Sequence, residues 1–512
     1  MLVLSHINRK TIRCRLPYVA QAIRQFNLPP NYKPNTAIVD DLPFAKSFEI
    51  WYNSFQPNRL RTLQDELVKL MLSPEYVENT GLKHKNLKVP IDGEGNYINE
   101  LQFEIVNNSD LPTKHIVFIH GYGASLGCFA RNFQLINKLR DLKHNYTIHF
   151  LDNISFGLSS NPKIKDESGM DSIKITSAPK IRLNDNKPTD PKKLHNKYYK
   201  LIDSYELDIE EFKKYQDNFK PILEKIENYY LSAIENWRIN SKIDQIDFLV
   251  GHSYGGYWSA SYALKHQENL KDLILLSPVG VERHVHSIKN PLNLDIIKKL
   301  DNGLTQFRPT LDPSSNNFLS RWPILSNDHI NKWYKWQALL PRFLKFFGPF
   351  GVDMYYKMWY LKLFKINKLI HKKGGAKRVF KNSNDLIYGT NKECLLIIEY
   401  LYNSITSWTK SDYYIKYLLT PSTVSKWPLF DKFTDEETRL KKLDNPMNIH
   451  FLYGQYDFMN AEAGAKLSDQ INQLQDQQIS KLHKVSEGGH NLYIDNPFEV
   501  NQLIHDIIKE ID

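Results

Sequence analysis

One serine of the sequence has the neighbours that a catalytic nucleophile needs. Residues 251–256 are Gly-His-Ser-Tyr-Gly-Gly; they follow a short apolar run and precede a helix-like stretch at 257–265. On such a strand-to-helix turn the serine is held in a strained conformation that exposes its hydroxyl, and glycines flank it because a Cβ there would clash with nearby backbone. We therefore interpret Ser253 as a nucleophile, with Gly251 and Gly255 as the glycines of the elbow.

Two later residues follow strand-like runs and complete a possible catalytic triad. Asp457 ends the segment Gly-Gln-Tyr-Asp, and His490 ends the segment Glu-Gly-Gly-His. Their order along the chain, serine then acid then histidine, is that of nucleophile-elbow enzymes. We expect His490 to be the general base, and Asp457 to fix its tautomer and stabilise the imidazolium. Glu282, after the sixth strand-like run, is the alternative acid.

A tetrahedral intermediate on Ser253 would need two backbone N–H donors for its oxyanion. One is expected from Tyr254, directly after the nucleophile, and the other from Tyr122 in the His-Gly-Tyr-Gly turn at 120–123. An ordinary strand-ending turn is the alternative interpretation of that segment.

These residues need a sheet to position them, and the sequence predicts one. Short apolar runs alternate with helical stretches, which is typical of a mostly parallel sheet with helices on both faces. The first two runs flank a Gly-rich turn and predict a hairpin. The carboxyl ends of the parallel strands then hold the chemistry. The runs are 87–90, 97–106, 115–119, 146–151, 247–250, 273–276, 449–453 and 481–485.

The same pattern predicts how the chain is divided. The core should span 85–280 and 444–512, and a large helical cap, 281–443, should be inserted between strands 6 and 7. Within the first part, 161–200 is polar and poor in large apolar residues, which predicts a mobile surface insertion.

The motifs at 120–123, 251–256 and 488–490 resemble those of the α/β-hydrolase fold, over about 85–280 and 440–512. Within that fold they look like the lipid-acting branch, which includes a cardiolipin-specific deacylase of fungal mitochondria and lysophosphatidate acyltransferases. Asn496-Pro497 after the histidine loop also suits this branch. The resemblance implies an α/β-hydrolase serine esterase that needs no cofactor and no metal. Some relatives have lost the serine and act without catalysis, whereas Ser253 is intact.

The resemblance and the residues together predict a membrane phospholipid deacylase, with conversion of cardiolipin to monolysocardiolipin as the specific expectation. An acyl-enzyme on serine can pass its acyl group to water or to another alcohol. Acyl-CoA-dependent acylation of a lysophospholipid such as lysophosphatidate is therefore an alternative. His490 and Asp495 form the pattern H-x4-D, which resembles an acyltransferase motif of the branch. A non-catalytic lipid-binding scaffold is the third hypothesis.

The net charge of +10 is concentrated locally. Residues 332–381 contain 13 Lys and Arg and one acid, and twelve aromatic residues lie between 333 and 364. Segments that combine Trp and Phe with Lys bind the interface of anionic bilayers. We expect a peripheral contact with an anionic phospholipid membrane, although packing of the cap's own core would explain part of the aromatic content. The expected lipid-binding residues are Trp333, Trp336, Lys345, Trp359, Lys362 and Lys365.

Nucleic acid is not expected as a partner, because no RNA-binding motif, zinc finger or Walker loop accompanies these residues.

The amino-terminal residues 1–45 are the other basic segment. Six Lys and Arg precede the first acid, Asp40, and apolar residues are interleaved with them. This composition is typical of a mitochondrial presequence with its linker, and a disordered basic tail is the alternative. The expected location is therefore the mitochondrion, peripheral on the inner membrane and facing the matrix.

The three widely spaced cysteines predict no disulfide framework or zinc site. No apolar run is long enough for a transmembrane helix.

Overall fold

The computed structural model describes residues 42–165, 181–185, 202–285, 287–288, 296–318, 340–357, 391–420, 423–442 and 446–511. The predicted presequence therefore lies almost wholly outside the described residues, as does most of the predicted insertion at 161–200.

The described residues form twelve strands in two sheets. Their bounds are β1 (Lys83–Pro90), β2 (Tyr97–Ile105), β3 (Thr113–Ile119), β4 (Asn145–Leu151), β5 (Arg182–Asp185), β6 (Ile202–Leu207), β7 (Ile246–His252), β8 (Leu270–Leu276), β9 (Ile296–Lys299), β10 (Thr305–Phe307), β11 (Asn448–Gly454) and β12 (Ser480–Val485).

Thirteen α-helices with defined ends accompany them in the same part of the chain. They are α1 (Phe44–Asn53), α2 (Arg59–Met71), α3 (Pro74–Thr80), α4 (Leu135–Leu139), α5 (Ile209–Asn240), α6 (Ser253–Lys265), α7 (Leu340–Phe346), α8 (Asn391–Thr406), α9 (Ser411–Leu418), α10 (Leu429–Thr434), α11 (Ala461–Gln475), α12 (Leu492–Asp495) and α13 (Pro497–Glu510). Residues 349–357 are also helical. No helix of the described residues has both the length and the apolar character that crossing a bilayer requires.

The larger sheet has eight strands in the order β1-β2-β4-β3-β7-β8-β11-β12. β1 and β2 form the predicted hairpin, β2 pairs antiparallel with β4, and the other neighbours are parallel. All eight strands coincide with the eight apolar runs of the sequence, so the predicted mostly parallel sheet is confirmed. Its carboxyl edge gathers the residues that follow β3, β7, β11 and β12.

Two hydrophobic clusters pack on opposite faces of this sheet. Along β3, Ile116 and Phe118 belong to one cluster, and Val117 and Ile119 belong to the other. Alternate residues of a strand point to opposite faces, so a continuous apolar run fits a sheet that is covered on both sides. Helix α5 covers one face, and its start is capped by the Asp208 carboxylate, which accepts the first-turn amides of Glu210 and Glu211. Packing on both faces thereby positions the strands whose carboxyl ends carry the predicted site residues.

The second sheet was not expected from the sequence. Its order is β5-β6-β10-β9 and its pairings are antiparallel. β5 lies inside the predicted mobile insertion, and β9 and β10 lie inside the segment that was predicted as a helical cap. Residues 182–185 of the predicted insertion form a strand, and the cap contains strands as well as helices. Tyr205 of β6 and Phe307 of β10 are buried and stacked with ring centroids 5.3 Å apart, which joins β6 to the cap segment.

The cap segment follows β8 and precedes β11, where the sequence predicted it. Its helix α8 packs on α2, and Arg59 Nε donates to the buried Glu399 carboxylate at 2.8 Å. The hydroxyl of Tyr400 accepts hydrogen bonds from the Ser125 hydroxyl at 2.8 Å and from the Gly127 amide at 3.0 Å. The cap is thus bonded to the loop that leaves β3, beside the expected oxyanion turn.

Candidate active site

Ser253 lies at the turn between β7 and α6, with a positive φ of 51°. Such a backbone conformation is strained for a residue with a side chain. A Cβ on Gly251 would lie 2.4 Å from Ser259 Oγ, and one on Gly255 would lie 2.3 Å from the carbonyl oxygen of His120. The tight turn that exposes the serine hydroxyl therefore excludes side chains at both predicted elbow positions.

The structure brings Ser253, His490 and Asp457 together from the ends of three different strands. The distance from His490 Nε2 to Ser253 Oγ is 2.8 Å, and that from His490 Nδ1 to Asp457 Oδ1 is 3.1 Å. In this geometry the serine hydroxyl donates to Nε2, and the imidazole Nδ1–H donates to the carboxylate. A histidine so held can take the serine proton and later return it to a leaving group. The three predicted triad residues are therefore in position for acyl transfer.

The environment of Asp457 favours its ionised form. Burial opposes ionisation, but the proximity of His490 and hydrogen bonds from His490 and the Met459 amide outweigh it, so the pKa of Asp457 is lowered. The Met459 amide donates to Oδ1 at 2.9 Å. An ionised acid at this place can hold the imidazole in the required tautomer.

Glu282 does not take the place of the acid. Its Oε2 accepts a hydrogen bond from Asn460 Nδ2 at 2.7 Å, whereas the hydrogen-bond partner of His490 Nδ1 is Asp457. The expectation of Asp457 over Glu282 thus agrees with the geometry.

Two further residues fix the backbone of the histidine loop. Asp495 accepts the Gly489 amide at 2.7 Å, and His252 Nε2–H donates to the carbonyl of His490 at 3.0 Å. Burial lowers the pKa of His252 to about 3, so the ring is neutral and Nε2 carries its single proton. Sequence reasoning gave His252 no role, although its place beside the nucleophile in the elbow motif could have suggested one. Asp495 of the H-x4-D pattern contacts the loop rather than the imidazole of His490.

The expected oxyanion donors lie next to Ser253. Tyr254 is the second residue of α6, and the amides of a first helical turn have no acceptor within the helix. A Cβ on Gly121 would lie 3.1 Å from Ser253 Cβ, which places the turn that carries Tyr122 against the nucleophile. His120 Nδ1–H donates to the Gly121 carbonyl at 2.8 Å, and its Nε2 accepts the Asn153 amide at 3.0 Å, so the imidazole braces this turn. The oxyanion roles of the Tyr122 and Tyr254 amides remain predictions.

Of the predicted lipid-binding residues, Lys345 alone falls within the described part of the chain. Trp333, Trp336, Trp359, Lys362 and Lys365 lie outside the described residues. Lys345 differs from the prediction, because α7 packs against α1. Its Nζ donates to the Ser54 carbonyl at 2.8 Å and lies 4.8 Å from the centre of the Phe55 ring. An ammonium group engaged within the protein is a poor candidate for binding lipid phosphate.

Comparison with known proteins agrees with this geometry. The family model described as alpha/beta hydrolase fold matches residues 114–320, which include the elbow and the β3 turn. The chain has the α/β-hydrolase fold. This confirms the fold class that the sequence predicted.

The chain is similar along most of its length to two proteins of Saccharomyces cerevisiae. Protein ECM18 is 26% identical over 467 residues, which cover 90% of this chain and 84% of that protein. The 1-acylglycerol-3-phosphate O-acyltransferase ICT1 is 24% identical over 393 residues, which cover 74% of this chain and 78% of that protein. Among solved structures, the bromoperoxidase of Bacillus anthracis is 13% identical, with a TM-score of 0.41, over 83% of this chain and 100% of that chain. The name of ICT1 refers to a lysophospholipid, which agrees with the lipid-acting branch that the motifs resemble.

Proposed function

We propose that this α/β-hydrolase is a serine-dependent deacylase of membrane phospholipids. The observation that carries the proposal is the hydrogen-bonded series from Ser253 through His490 to Asp457. Ser253 Oγ attacks the acyl carbonyl while His490 Nε2 takes its proton. The C–O bond to the lipid then breaks, and His490 protonates the departing lysophospholipid alcohol. Water, deprotonated by His490, releases the fatty acid and restores the serine.

The lipid substrate class is supported by similarity, since a relative acts on 1-acylglycerol-3-phosphate according to its name. Cardiolipin is the specific substrate to which the motif resemblance points. It carries two phosphates, which suits the basic composition of residues 332–381. A complete triad favours an enzyme over a lipid-binding scaffold.

The experiment is a lipid assay with the purified protein. Fatty acid release is measured from cardiolipin, phosphatidylglycerol and phosphatidylcholine in mixed micelles, and Ser253 is tested by fluorophosphonate labelling. We expect Ser253→Ala to abolish labelling and release, while Ser109→Ala, at an exposed serine, retains both. Labelled wild-type protein that releases no fatty acid from any phospholipid would refute the proposed substrate class.

Acyl transfer to a lysophospholipid is the second candidate, because the relative ICT1 is named as an acyltransferase that acts on 1-acylglycerol-3-phosphate. The same acyl-serine would form from acyl-CoA and react with the free hydroxyl of the lysophospholipid in place of water. Incubation with labelled acyl-CoA and lysophosphatidate distinguishes the two functions. Labelled phosphatidate as the main product supports transfer, and labelled free fatty acid supports hydrolysis.

We further propose that an exposed aromatic surface docks the protein on an anionic bilayer. It consists of Phe44, Phe48, Tyr52, Phe55, Phe346, Phe347 and Phe350, each of which is exposed. The residues at 44–55 are in contact with those at 346–350, since the Phe44 and Phe350 rings lie 5.9 Å apart and Trp51 Nε1 donates to the Lys345 carbonyl at 2.9 Å. Phe346 is 82% exposed, which is unusual for a side chain of that size in water. Phe346, Phe347 and Phe350 belong to residues 332–381, whose basic composition supports a bilayer of negative charge.

Vesicle sedimentation tests this docking surface. Phe346→Ser combined with Phe350→Ser should lower the fraction of protein that sediments with cardiolipin-containing vesicles, while turnover of a soluble ester is retained. Val106→Ser removes an exposed apolar side chain outside the surface and serves as the matched control. Equal sedimentation of the double variant and the wild type would contradict the proposed surface.

The mitochondrial location is a separate proposal that rests on the composition of residues 1–45. A fluorescent fusion to the full chain should colocalise with mitochondria, and deletion of residues 2–45 should abolish this. The matrix-facing position is tested by protease protection in mitochondria with ruptured outer membranes.

A further inference from the structure

The side chain of Tyr122 links the expected oxyanion turn to the cap. Its ring packs edge-on against Tyr254 and Phe156, with centroid distances of 6.1 Å and 5.8 Å. Its hydroxyl donates to the carboxylate of Asp412, in the first turn of helix α9. The backbone of Tyr122 therefore borders the nucleophile, while its hydroxyl reaches a residue 290 positions later in the chain.

Asp412 is held in turn by a second cap helix. It forms an ion pair with Arg342 of α7, and both residues are buried, with 5% and 7% exposure. The Arg342 guanidinium lies over the Trp408 ring, 4.6 Å from its centre. Burial lowers the pKa of Arg342 to about 10, so it remains charged at neutral pH. The adjacent residue, Phe343, is exposed, and its ring lies 6.1 Å from that of Phe346 in the aromatic surface.

A buried ion pair of this kind is not explained by stability alone. The cost of removing two charges from water is commonly as large as the attraction between them, and apolar side chains of similar volume can replace such a pair without loss. Tyr122 is half-buried, and a tyrosine hydroxyl that is withdrawn from water takes a hydrogen-bond partner. A bond to a carboxylate is shorter and stronger than one to a neutral acceptor. The arrangement thus restricts where the Tyr122 ring, and with it the Gly121–Tyr122 backbone, can lie.

We propose that Asp412 is a positioning residue for the oxyanion-binding amide of Tyr122. It acts through the Tyr122 hydroxyl and is oriented by Arg342; it contacts no reacting atom itself. Preorganised donors stabilise an oxyanion because they need no rearrangement during the reaction, and a displacement of about 1 Å can cost about 100-fold in rate. This inference rests on the proposed serine chemistry, but it does not depend on the lipid that is cleaved.

The test is the rate constant for fluorophosphonate reaction at Ser253, whose phosphoryl oxygen needs the same donors as an ester oxyanion. Tyr122→Phe removes only the hydroxyl and keeps the amide and the ring. We expect it to slow labelling about 10- to 100-fold, and to lower kcat for a soluble ester by a similar factor with little change in KM. Asp412→Ala should act like Tyr122→Phe, and the double variant should be no slower than the slower single variant.

Tyr413→Phe is the matched control, because its hydroxyl lies in the same helix and accepts a hydrogen bond from Tyr417 at 2.9 Å. It should react like the wild type. Urea unfolding identifies variants that have lost structure, and Asp412→Asn, which keeps an acceptor oxygen for Tyr122, should recover much of the rate lost in Asp412→Ala.

A wild-type labelling rate in Tyr122→Phe would overturn the inference. Wild-type protein that is labelled but releases no fatty acid would refute only the lipid proposal, whereas unlabelled wild-type protein would overturn both.

Discussion

At the scale of single residues, the Asp457 carboxylate determines which ring nitrogen of His490 carries the proton. The side chain of Asp457 is 1% exposed and bonded to His490 Nδ1, so its negative charge acts on the imidazole with little screening by water. Without that charge the ring can adopt the other tautomer, in which Nε2 carries a proton and cannot accept one from Ser253. The acid is therefore important for the chemistry although it never touches the substrate.

Replacement of Asp457 by Asn should lower kcat by roughly 10³- to 10⁴-fold with little change in KM, as loss of the orienting acid does in other triads. The measurement is steady-state hydrolysis of a soluble ester. Glu282→Gln is the matched control, since Glu282 bonds Asn460 and not His490, and it should stay close to wild-type turnover. A large loss in Glu282→Gln with a small one in Asp457→Asn would reverse the assignment of the acid.

Asp495 is bonded to the Gly489 amide, which gives the H-x4-D pattern a structural interpretation. We expect Asp495→Ala to loosen the loop that carries His490 and to lower hydrolysis and acyl transfer by the same factor. The two products are measured together with labelled acyl-CoA and lysophosphatidate. Selective loss of transfer in this variant would instead support a dedicated role of Asp495 in acceptor chemistry.

At the scale of elements, the elbow works because β7 and α6 approach the end of β3 very closely. A Cβ on Gly255 would lie within 2.6 Å of the carbonyl oxygens of both Ile119 and His120. We expect Gly255→Ala to separate these elements, with a loss of about 1–3 kcal/mol in the free energy of unfolding and loss of fluorophosphonate labelling. Urea unfolding and labelling are the measurements.

Gly93 provides the control for that substitution. It lies in the turn between β1 and β2, and a Cβ there would meet no atom within 4 Å. Gly93→Ala should leave stability and labelling nearly unchanged. Equal effects of the two substitutions would mean that loss of glycine flexibility, rather than the close approach, is responsible.

The elements that sequence could predict are those whose signal is local. β7, with its continuous run of buried residues, and the glycine-flanked Ser253 behind it are both contained in about a dozen consecutive positions. Triad partners could be found because parallel strands end at one edge of the sheet, so that Asp457 and His490 must be neighbours once their strands are recognised.

The second sheet escaped prediction for the opposite reason. β5 and β6 have the sequences RLND and IDSYEL, and β9 and β10 have IIKK and TQF, which are too short and too polar to show a strand pattern. They form a sheet only because the chain brings two insertions together, with pairings such as Phe307 to Tyr205. The contact between Tyr122 and Asp412 is equally invisible in the sequence, since it depends on where the cap folds back over the core.

At the scale of the whole molecule, the fold removes several histidine side chains from water. Burial lowers the pKa of His115 and His120 to about 4 and that of His252 and His450 to about 3. In the unfolded chain, a histidine binds a proton as the pH falls through about 6.5. At that pH the four histidines of the folded protein are still neutral. Folding must therefore become less favourable as the pH falls from about 6.5 towards 4.

Three buried carboxyl groups of the described residues, Asp152, Asp272 and Glu399, act in the opposite direction, because burial raises the pKa of each. Burial raises the pKa of Asp152 and Asp272 to about 6, so these groups bind protons in the folded state before the unfolded chain does, and they favour folding as the pH falls from about 6 to 4. The four histidines outweigh the three carboxyl groups, because they are more numerous and their effect begins at the higher pH of about 6.5. A difference of one in pKa between the folded and unfolded states corresponds to about 1.4 kcal/mol. The net effect on acidification is a loss of stability.

We expect the melting temperature to fall by a few degrees between pH 7 and pH 5, as measured by circular dichroism at constant ionic strength. His450→Gln replaces one buried imidazole by an amide that does not titrate, so the fall should be smaller in this variant. His84→Gln, at an exposed histidine, should follow the wild-type curve. A melting temperature that is constant or rises from pH 7 to pH 5 would mean that the buried carboxyl groups, and not the histidines, dominate the acid response of the core.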